Sequence, residues 1–407
     1  MKSAKQGQRP SLRQGAAGNP WLVPPVRNKA LQQAVKLESV MVPSANVDRS
    51  TESRIKVSVV IPAYNAASMI QATLESVLRQ TVPPHEILVM NDGSTDDTVS
   101  VLNSYKPRVT VLHQKNRGVA GARNALCKQA LGDLIAFLDQ DDIWHPRYLE
   151  IQCRLFADYP NAVAFFTGHV NFQGYGTYGW GSEPLDAEPD VELIPALSFL
   201  KRYNQTTGPF ASMSYCCVPK GVLVEMSSEP FRLSGVDDAH FCTLLPLLAR
   251  PIVYAPVPLV AYRITSGAQS VNRLKIFTLW VEVFQLLEER YQKQPRGDLL
   301  KAFRMAFASK RRSYGKILMG AGRASEARRQ FWSSLGNASS PVSRAKSLAL
   351  LLLSYMPPRL QPRWPPSYRE SKGLDNTLAE NQATATSGPR APLLLTPVKL
   401  ARNRENP

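Results

Sequence analysis

The sequence predicts an α/β protein in which a doubly wound, mostly parallel sheet is flanked by helices. Short apolar segments rich in β-branched residues alternate with segments of helical periodicity over residues 55–166. Polar residues follow these apolar segments, as expected where parallel strands end at one edge of a sheet. Hydrophobic residues make up 44% of the 407 positions, which is enough to build a sizeable core.

The elements can be assigned in order along the chain. The expected strands are Val57–Ile61, Ile87–Met90, Val109–His113, Leu134–Leu138 and Ala162–Phe166. The helices expected after the first four are Ile70–Gln80, a helix opened by Thr95, Asp96 and Asp97, Val119–Ala130, and Arg147–Tyr159. Beyond residue 271, apolar residues recur at helical spacing and predict a helical extension.

The segment Leu134–Trp144 takes an apolar strand directly into three carboxylates. Asp139 and Asp141 are separated by one residue, so they repel each other unless a cation lies between them. Oxygen ligands favour a hard ion such as Mg²⁺ or Mn²⁺. An equally acceptable interpretation is a solvated acidic turn in which Asp142 caps the next helix.

Two other loops at the predicted sheet edge carry polar residues. Asp92 can accept a hydrogen bond from a pyrimidine ring NH or a ribose hydroxyl, or it can form a turn before Gly93. Gly118 and Arg123 lie near the start of the third helix, where free NH groups and the helix dipole suit a phosphate. Alternatively, Gly118 serves a turn and Arg123 is a solvated charge.

Four motifs occur in order, each beside the end of a predicted strand. They are Pro62-Ala-Tyr-Asn65, Asn91-Asp-Gly-Ser-Thr-Asp96, Asn116-x-Gly-x-x-x-Ala-Arg-Asn124 and Phe137-Leu-Asp-Gln-Asp-Asp142. Together they are similar to the motif set of family 2 glycosyltransferases with the GT-A fold, over about Lys56 to Val271. The domain prediction is then a basic segment at 1–54, a GT-A domain at 55–271, the helical extension at 272–358 and a Pro/Arg-rich tail at 359–407. Both ends are predicted to be disordered.

The resemblance implies a metal-dependent, inverting transfer from a nucleoside-diphosphate sugar, most often a UDP-sugar. It assigns the divalent cation, Mn²⁺ or Mg²⁺, to Asp141, with Asp139 beside it. The nucleotide sugar is assigned to the residues of the four motifs and of a later arginine. These are Pro62, Ala63, Tyr64, Asn65, Asp92, Gly118, Arg123, Asn124, Asp139 and Arg263.

The catalytic base of the family is usually the second acid of a Glu-Asp pair. Here the pair is Asp237 and Asp238, and the resemblance assigns the base to Asp238. Two acids at the start of a helix are also ordinary capping residues, and the two roles are compatible. Tyr262-Arg263-Ile-Thr265 resembles a Tyr-Arg-x-His segment, but Thr265 replaces the histidine, so that contact with the metal or diphosphate is left open.

The acceptor is not specified by any motif. Between Asn171 and Tyr215, glycines are interleaved with the aromatic residues Phe172, Tyr175, Tyr178 and Trp180. Aromatic faces on a loop suit sugar rings, which predicts an acceptor wall, or they anchor the loop to the core. The expected acceptor is a glycan, a lipid-linked sugar or a surface polymer.

The charge of the chain predicts an anionic neighbour. The net charge is +17 with a sequence pI near 9.8, and much of the excess lies towards the two ends, which favours a surface over a nucleic-acid groove. The basic, apolar helix around Leu348–Leu353 can lie on an anionic membrane or pack against the core. Five cysteines without metal-type spacing predict a reducing compartment, hence a cytoplasmic protein able to sit at the inner face of a membrane.

Two other functions fit the same residues. A polyprenyl-phosphate sugar transferase uses the same donor but needs no base, because a phosphate is already a nucleophile. A nucleotide-binding scaffold without catalysis, recruited by its basic ends, is the alternative from another class.

Overall fold

The structure is a computed structural model that describes residues 55–180, 190–205, 212–264 and 272–365. The segment predicted to be disordered at 1–54 lies outside these ranges. So do Thr265 and the part of the predicted tail from residue 366 onwards. The whole helical extension at 272–358 is described, and so are residues 359–365 of the predicted tail.

The described chain is built on one nine-stranded sheet with the strand order β3-β2-β1-β4-β8-β6-β9-β5, and β7 pairs with β9. The strands are β1 Val57–Ala63, β2 Glu86–Asn91, β3 Thr110–His113, β4 Leu134–Phe137, β5 Ile143–Trp144, β6 Phe165–Phe172, β7 Glu192–Ile194, β8 Cys216–Pro219 and β9 Ile252–Arg263.

The first four strands are parallel and bring their carboxyl ends to one edge of the sheet. β1 lies at the centre of this group, with Ala63 opposite Asn91 of β2 and Val60 opposite Phe137 of β4. Every residue of β1 is buried, which accounts for its continuous apolar sequence. β8 then pairs antiparallel with β4, so the sheet becomes mixed.

Eleven helices are described, and most lie close to the predicted ranges. They are α1 Ile70–Leu78, α2 Thr98–Asn103, α3 Gly118–Gln129, α4 Tyr148–Asp158, α5 Ala196–Gln205, α6 Lys220–Met226, α7 Asp237–Leu244, α8 Arg273–Gln292, α9 Gly297–Gly320, α10 Ala324–Asn337 and α11 Pro341–Leu353. Four strands, β5, β7, β8 and β9, were not predicted, and β6 begins at Phe165 instead of Ala162 and runs on to Phe172. Its extra length pairs with β9, a strand too distant in sequence to be anticipated.

The C-terminal helices share a hydrophobic core with one face of the sheet. Phe284 of α8 and Phe303 of α9 belong to the same buried cluster as Phe137 of β4 and Phe241 of α7. A second cluster, containing Ile70 of α1 and other apolar residues, covers the opposite face. Within the described ranges, no helix combines the length and the apolarity needed to cross a membrane.

Candidate active site

A cavity of about 440 Å³ opens at the carboxyl ends of β1, β2 and β4. The residues predicted as a site come from distant parts of the sequence, and all but two of them line this cavity. Those that do are Pro62, Ala63, Tyr64, Asp92, Gly118, Arg123, Asp139, Asp141, Asp237, Asp238 and Arg263. Parallel strands explain the convergence, because the loops that follow them meet at one edge.

The loop after β4 is fixed to the loop after β1. The side chain of Gln140 accepts a hydrogen bond from the backbone NH of Tyr64 at 2.7 Å and donates one to its carbonyl at 3.2 Å. The hydroxyl of Thr73 donates to the Gln140 carbonyl at 2.9 Å. Asp139 and Asp141 are therefore held on either side of a braced residue.

Arg123 is buried between two carboxylates of the cavity. Its guanidinium donates to Asp139 through one terminal nitrogen and to Asp237 through the other. Burial alone would lower the pKa of Arg123, but these carboxylates raise it. The arginine thus joins the loop after β4 to the start of α7 through fixed charges.

The start of α3 depends on a glycine. Gly118 has φ +73°, and a side chain there would collide with the hydroxyl of Ser234. The same hydroxyl accepts a hydrogen bond from the NH of Ala120 at 3.3 Å. This close approach lets the first turn of α3 line the cavity and places Arg123 behind it.

Asp141 and Asp238 have no ion pair with any described lysine or arginine. Burial and the nearby charge of Asp139 raise the pKa of Asp141 to about 6. Burial and the adjacent Asp237 raise the pKa of Asp238 to about 7. One oxygen of Asp238 accepts a hydrogen bond from the NH of Ala239 at 2.7 Å. Both carboxylates are consequently easier to protonate than an ordinary aspartate.

Asp142 is not the helix cap of the solvated-turn interpretation. Its side chain is fully buried and accepts a hydrogen bond from the NH of Arg263 at 2.9 Å. Helix α4 begins only at Tyr148. Burial, followed by repulsion from Asp141 and Asp139, raises the pKa of Asp142 well above its usual range. Of the three acids in this loop, Asp142 is therefore turned into the molecule, whereas Asp139 and Asp141 line the cavity.

One carboxylate oxygen of Asp92 is hydrogen-bonded to the loop that precedes α3. This oxygen accepts hydrogen bonds from the amide of Gln114 at 2.6 Å and from the NH of Arg117 at 2.8 Å. The loop before α3 is thereby fixed to the loop after β2. The turn at Gly93 is closed by Asn91, whose side-chain oxygen accepts from the NH of Ser94 at 3.1 Å, and Asp92 lies on the cavity wall.

Arg263 is predicted to bind phosphate, but in this structure its guanidinium donates hydrogen bonds to backbone carbonyls. It donates to the carbonyls of Asp141 at 2.7 Å and Gly176 at 2.9 Å, and also to that of Gly174. Its guanidinium lies 4.4 Å from the centre of the Phe172 ring. In this structure it holds the loop at residues 174–176 against the cavity edge.

The aromatic residues before residue 181 separate into two groups. Tyr178 lies 5.4 Å from Phe172 and 4.8 Å from Trp180, measured between ring centres, and Trp180 donates to the carbonyl of Trp144 at 3.2 Å. These three rings anchor the loop. Tyr175 is 78% exposed and is the ring among the four that remains open to a ligand.

Asn65 and Asn124 lie outside the cavity wall. The side-chain oxygen of Asn65 accepts from the NH of Thr95 at 2.8 Å, which ties two loops together. The amide of Asn124 donates to the carbonyl of Phe231 at 2.8 Å and accepts from its NH at 3.1 Å. Both asparagines support the residues around the cavity instead of facing it.

Several cavity residues were not predicted from the sequence. The wall also contains Gln140, Ser212, Met213, Gly235 and Tyr262. Behind it, Lys310 of α9 lies over the ring of Trp280, with 3.7 Å between its amine and the ring centre. Burial lowers the pKa of Lys310 to about 8, while the charge of Asp238 opposes this shift. No local motif marked Lys310, because it lies in a helix far along the chain.

The two acids predicted to hold a cation are not equivalent. One oxygen of Asp139 is paired with Arg123, and the other accepts from the hydroxyl of Ser212 at 3.3 Å. Asp141 has no such ion pair, and its raised pKa marks a carboxylate that a cation would stabilise. Among the described residues, no group of three or more His, Cys, Asp or Glu side chains is arranged to hold a metal. Asp141 alone fits the role well.

Comparison with known proteins agrees with the geometry. Residues 58–224 match the model of the family described as Glycosyl transferase family 2. An uncharacterized glycosyltransferase of Rickettsia felis is 41% identical over 125 residues, covering 30% of this chain and 21% of that protein. The chain therefore spans about a fifth of the length of that relative.

One relative is matched over most of its length. The UDP-Glc:alpha-D-GlcNAc-diphosphoundecaprenol beta-1,3-glucosyltransferase WfaP of Escherichia coli is 29% identical over 225 residues, covering 54% of this chain and 81% of that protein. Among solved structures, S. aureus TarS 1–349 in complex with UDP-GlcNAc superimposes with a TM-score of 0.53. It is 16% identical, over 74% of this chain and 90% of that one. That likeness establishes the GT-A fold.

Proposed function

We propose that this chain, whose residues 58–224 match the model of glycosyl transferase family 2, transfers a sugar from a nucleoside-diphosphate sugar to a hydroxyl group of a lipid-linked glycan. The name of the Escherichia coli relative gives UDP-Glc as its donor and a GlcNAc-diphosphoundecaprenol as its acceptor. We extend the donor class, a UDP-sugar, and the acceptor class to this chain. An acceptor of this kind resides in a membrane, so the enzyme would work at a membrane surface.

The observation that carries the proposal is the state of Asp238. A general base works best when its pKa lies near the working pH, and the pKa of Asp238 is about 7. Its neighbour Asp237 is held by Arg123, whereas Asp238 has no ion pair among the described residues. Asp238 is therefore the acid of this pair that suits proton transfer.

The other side of the cavity suits a nucleoside diphosphate. Asp92 keeps one oxygen for its own loop, and its second oxygen can accept from a base or ribose. The first turn of α3 lines the cavity through Gly118 and Val119, so the positive end of the helix dipole lies beside the space for a diphosphate. Tyr64 is 42% exposed beside them and offers a ring face to the nucleoside.

Asp141 would hold the divalent cation of the donor complex. Its carboxylate is raised in pKa and lacks an ion pair, so a cation would both stabilise it and lower its proton affinity. A bound Mn²⁺ or Mg²⁺ would stabilise the charge that collects on the leaving diphosphate. Asp139, fixed by Arg123 and by the hydroxyl of Ser212, would keep the loop in place beside the sugar or ribose.

The reaction is then a single displacement with inversion. The acceptor oxygen bonds to the anomeric carbon as the bond from that carbon to the diphosphate oxygen breaks. Asp238 takes the hydroxyl proton, and the nucleoside diphosphate leaves with the bonding electron pair. The role of the chain is to orient both substrates and to hold a base at the face opposite the leaving group.

The proposal is tested by measuring sugar transfer with the full chain. UDP-Glc and other UDP-sugars are incubated with Mn²⁺ and a synthetic GlcNAc-diphospholipid, and the product is detected by mass. We expect Asp238→Asn to reduce the transfer rate by about 10²- to 10⁴-fold. It should keep the thermal stabilisation by UDP with Mn²⁺, since the donor half of the cavity is unchanged.

Two further variants make the experiment specific. Asp141→Asn should lose the part of the UDP-induced stabilisation that depends on Mn²⁺. Asp97→Asn changes an exposed aspartate just before α2 and serves as the matched control, with no expected effect on either readout. Full transfer by Asp238→Asn would exclude it as the base. Absence of both transfer and Mn²⁺-dependent donor binding with every UDP-sugar would contradict the proposed function itself.

A further inference from the structure

The helix α11 carries its polar and apolar residues on unexpected sides. Ser343, Ser347 and Ser354 face the protein and are buried. Leu348 and Leu352 face outwards, with exposed fractions of 47% and 61%. A surface helix of a globular protein normally buries apolar residues and exposes polar ones, whereas α11 buries two serines together with Leu351 and leaves two leucines exposed.

The buried serines have partners that explain why they point inwards. Arg312 of α9 donates to the hydroxyls of Ser343 at 3.0 Å and Ser347 at 3.2 Å. Arg328 of α10 donates to the carbonyl of Ser354 at 2.9 Å. These polar contacts fix the rotation of α11 about its axis. The outward position of the leucines is therefore built into the packing of the helix.

Exposed apolar residues recur along α11 and the segment that follows it. Leu348, Leu352 and Tyr355 recur at spacings of four and three, which places them on one side of the helix. We call the exposed apolar residues of α11 and the segment that follows it the C-terminal apolar stripe. Its members are Val342, Leu348, Leu352, Tyr355, Met356 and Leu360.

Every charged residue between positions 338 and 365 is a cation. The exposed residues Arg344 and Lys346 lie on opposite flanks of α11, and the exposed residues Arg359 and Arg363 follow it. Between residues 338 and 365 the sequence contains no aspartate or glutamate. The surface that covers this stripe must accept both apolar side chains and positive charge.

We propose that the C-terminal apolar stripe docks this protein onto the surface of an anionic bilayer. The 13 residues of α11 are too few to cross the hydrocarbon core, which needs ~20, so the helix lies along the interface. Its leucines enter the headgroup boundary and its cations meet the lipid phosphates. A symmetric contact with a second copy would bring the same cations together, which disfavours a dimer through this face.

The proposed docking surface does not depend on the proposed catalytic function, but it would place the active site near a lipid-linked acceptor. If the acceptor is lipid-linked, a bilayer-bound enzyme meets it by diffusion in two dimensions. Binding to vesicles requires neither donor nor acceptor. Failure of vesicle binding and failure of sugar transfer are therefore separate outcomes.

The test is flotation of the full chain with vesicles of phosphatidylcholine alone or mixed with phosphatidylglycerol. We expect binding to the anionic vesicles, weakened by salt. The double variant Leu348→Asn/Leu352→Asn should bind them at least about tenfold more weakly. Lys346→Glu/Arg359→Glu should lose the preference for phosphatidylglycerol.

The matched control is Leu131→Asn/Val224→Asn, which removes two exposed apolar side chains elsewhere and should bind like the parent chain. All these positions are exposed, so the variants should fold, and thermal stabilisation by UDP with Mn²⁺ checks that they do. Unchanged flotation of Leu348→Asn/Leu352→Asn would overturn the proposal. So would a dimeric parent chain that becomes monomeric in this variant, since the stripe would then bind a second copy.

Discussion

Asp139 and Asp237 share the guanidinium of Arg123, whereas Asp141 and Asp238 lie in the same cavity without an ion pair to any described residue. The four acids have similar surroundings, and what separates the two pairs is one buried arginine. Asp141 and Asp238 have pKa values of about 6 and about 7. The first pair joins elements of the fold, and the second retains carboxylates that can bind a cation or a proton.

This division has a physical origin in burial. Burying a charged carboxylate lowers the stability of the fold unless an opposite charge lies beside it. The fold therefore tolerates only a few buried carboxylates without an ion pair. Arg123 neutralises two of the four, and its own position is fixed by helix α3. Removing Arg123 should abolish the difference between the two pairs of acids. Replacing the acids one at a time should measure that difference.

The largest effect is expected from Arg123→Met. Asp139 and Asp237 would keep their burial and lose their common partner, and breaking a buried ion pair in this way typically costs about 3–5 kcal/mol. We therefore expect a fall of this size in the free energy of unfolding at pH 8, measured by urea denaturation. Sugar transfer should be lost as well, because the loop after β4 and the start of α7 would no longer be joined.

A compensated variant separates charge from packing. Adding Asp139→Asn and Asp237→Asn to Arg123→Met removes the uncompensated charges while keeping similar side-chain volumes. Stability should then recover in part. If the triple variant is as unstable as Arg123→Met alone, the arginine contributes by packing against Phe231, whose ring centre lies 5.8 Å away, and not by its charge.

The next largest effect is on the free energy of unfolding, which should change in opposite directions at pH 8 when Asp238 or Asp139 is replaced by asparagine. The pKa of Asp238 is 3.8 in a model peptide and about 7 in the fold, so between these values the folded chain binds more protons than the unfolded one. Its stability should fall as pH rises through this window, by up to about 1.4 kcal/mol per unit. Asp238→Asn does not titrate, so it should match the parent at pH 4 and exceed its stability at pH 8.

Asp139→Asn provides the contrast at pH 8. It removes a charged partner of Arg123 and should lower the free energy of unfolding by about 1–3 kcal/mol. Urea denaturation of both variants at pH 4, 6 and 8 makes the comparison directly. Equal destabilisation by the two variants at pH 8 would mean that the acids are not divided as the structure indicates.

The pH dependence of sugar transfer is a further consequence. Asp238, the proposed base, has a pKa of about 7 and is mostly protonated at pH 6. The transfer rate should therefore rise about tenfold per pH unit below pH 7 and level off above pH 7. The residual rate of Asp238→Asn should show no such rise. A rate that falls between pH 6 and pH 8 would argue for a general acid in place of a base.

Residues of the site could be predicted from the sequence where they directly follow a predicted strand. Tyr64, Asp92 and Asp141 follow parallel strands, and the topology of such a sheet brings the ends of these strands together. The division between Asp139 and Asp141 could not be predicted, because it depends on the direction of the Arg123 side chain. The same limit applies to Gln140, whose role is a contact with the backbone of Tyr64.

The outer helix illustrates a different limit. Serines and leucines of α11 both recur at helical spacing, and no periodicity states which face is buried. The contacts of Arg312 with Ser343 and Ser347 determine it. Of the two alternatives for this helix, packing against the protein holds for the face that carries Ser343 and Ser347. Membrane contact stays a prediction for the exposed face.

The smallest expected effect concerns Lys310, which tests whether the helical extension acts on the base. The charge of Asp238 raises the pKa of Lys310, and by reciprocity the lysine lowers that of Asp238. Lys310→Met should therefore move the rising limb of the transfer profile upwards by roughly half a pH unit, with Lys310→Arg close to the parent. Lys301→Met, an exposed lysine on the same helix, is the control. A limb that stays in place while the Michaelis constant for the acceptor rises would instead assign Lys310 to acceptor binding, since a direct contact changes affinity without changing the proton affinity of the base.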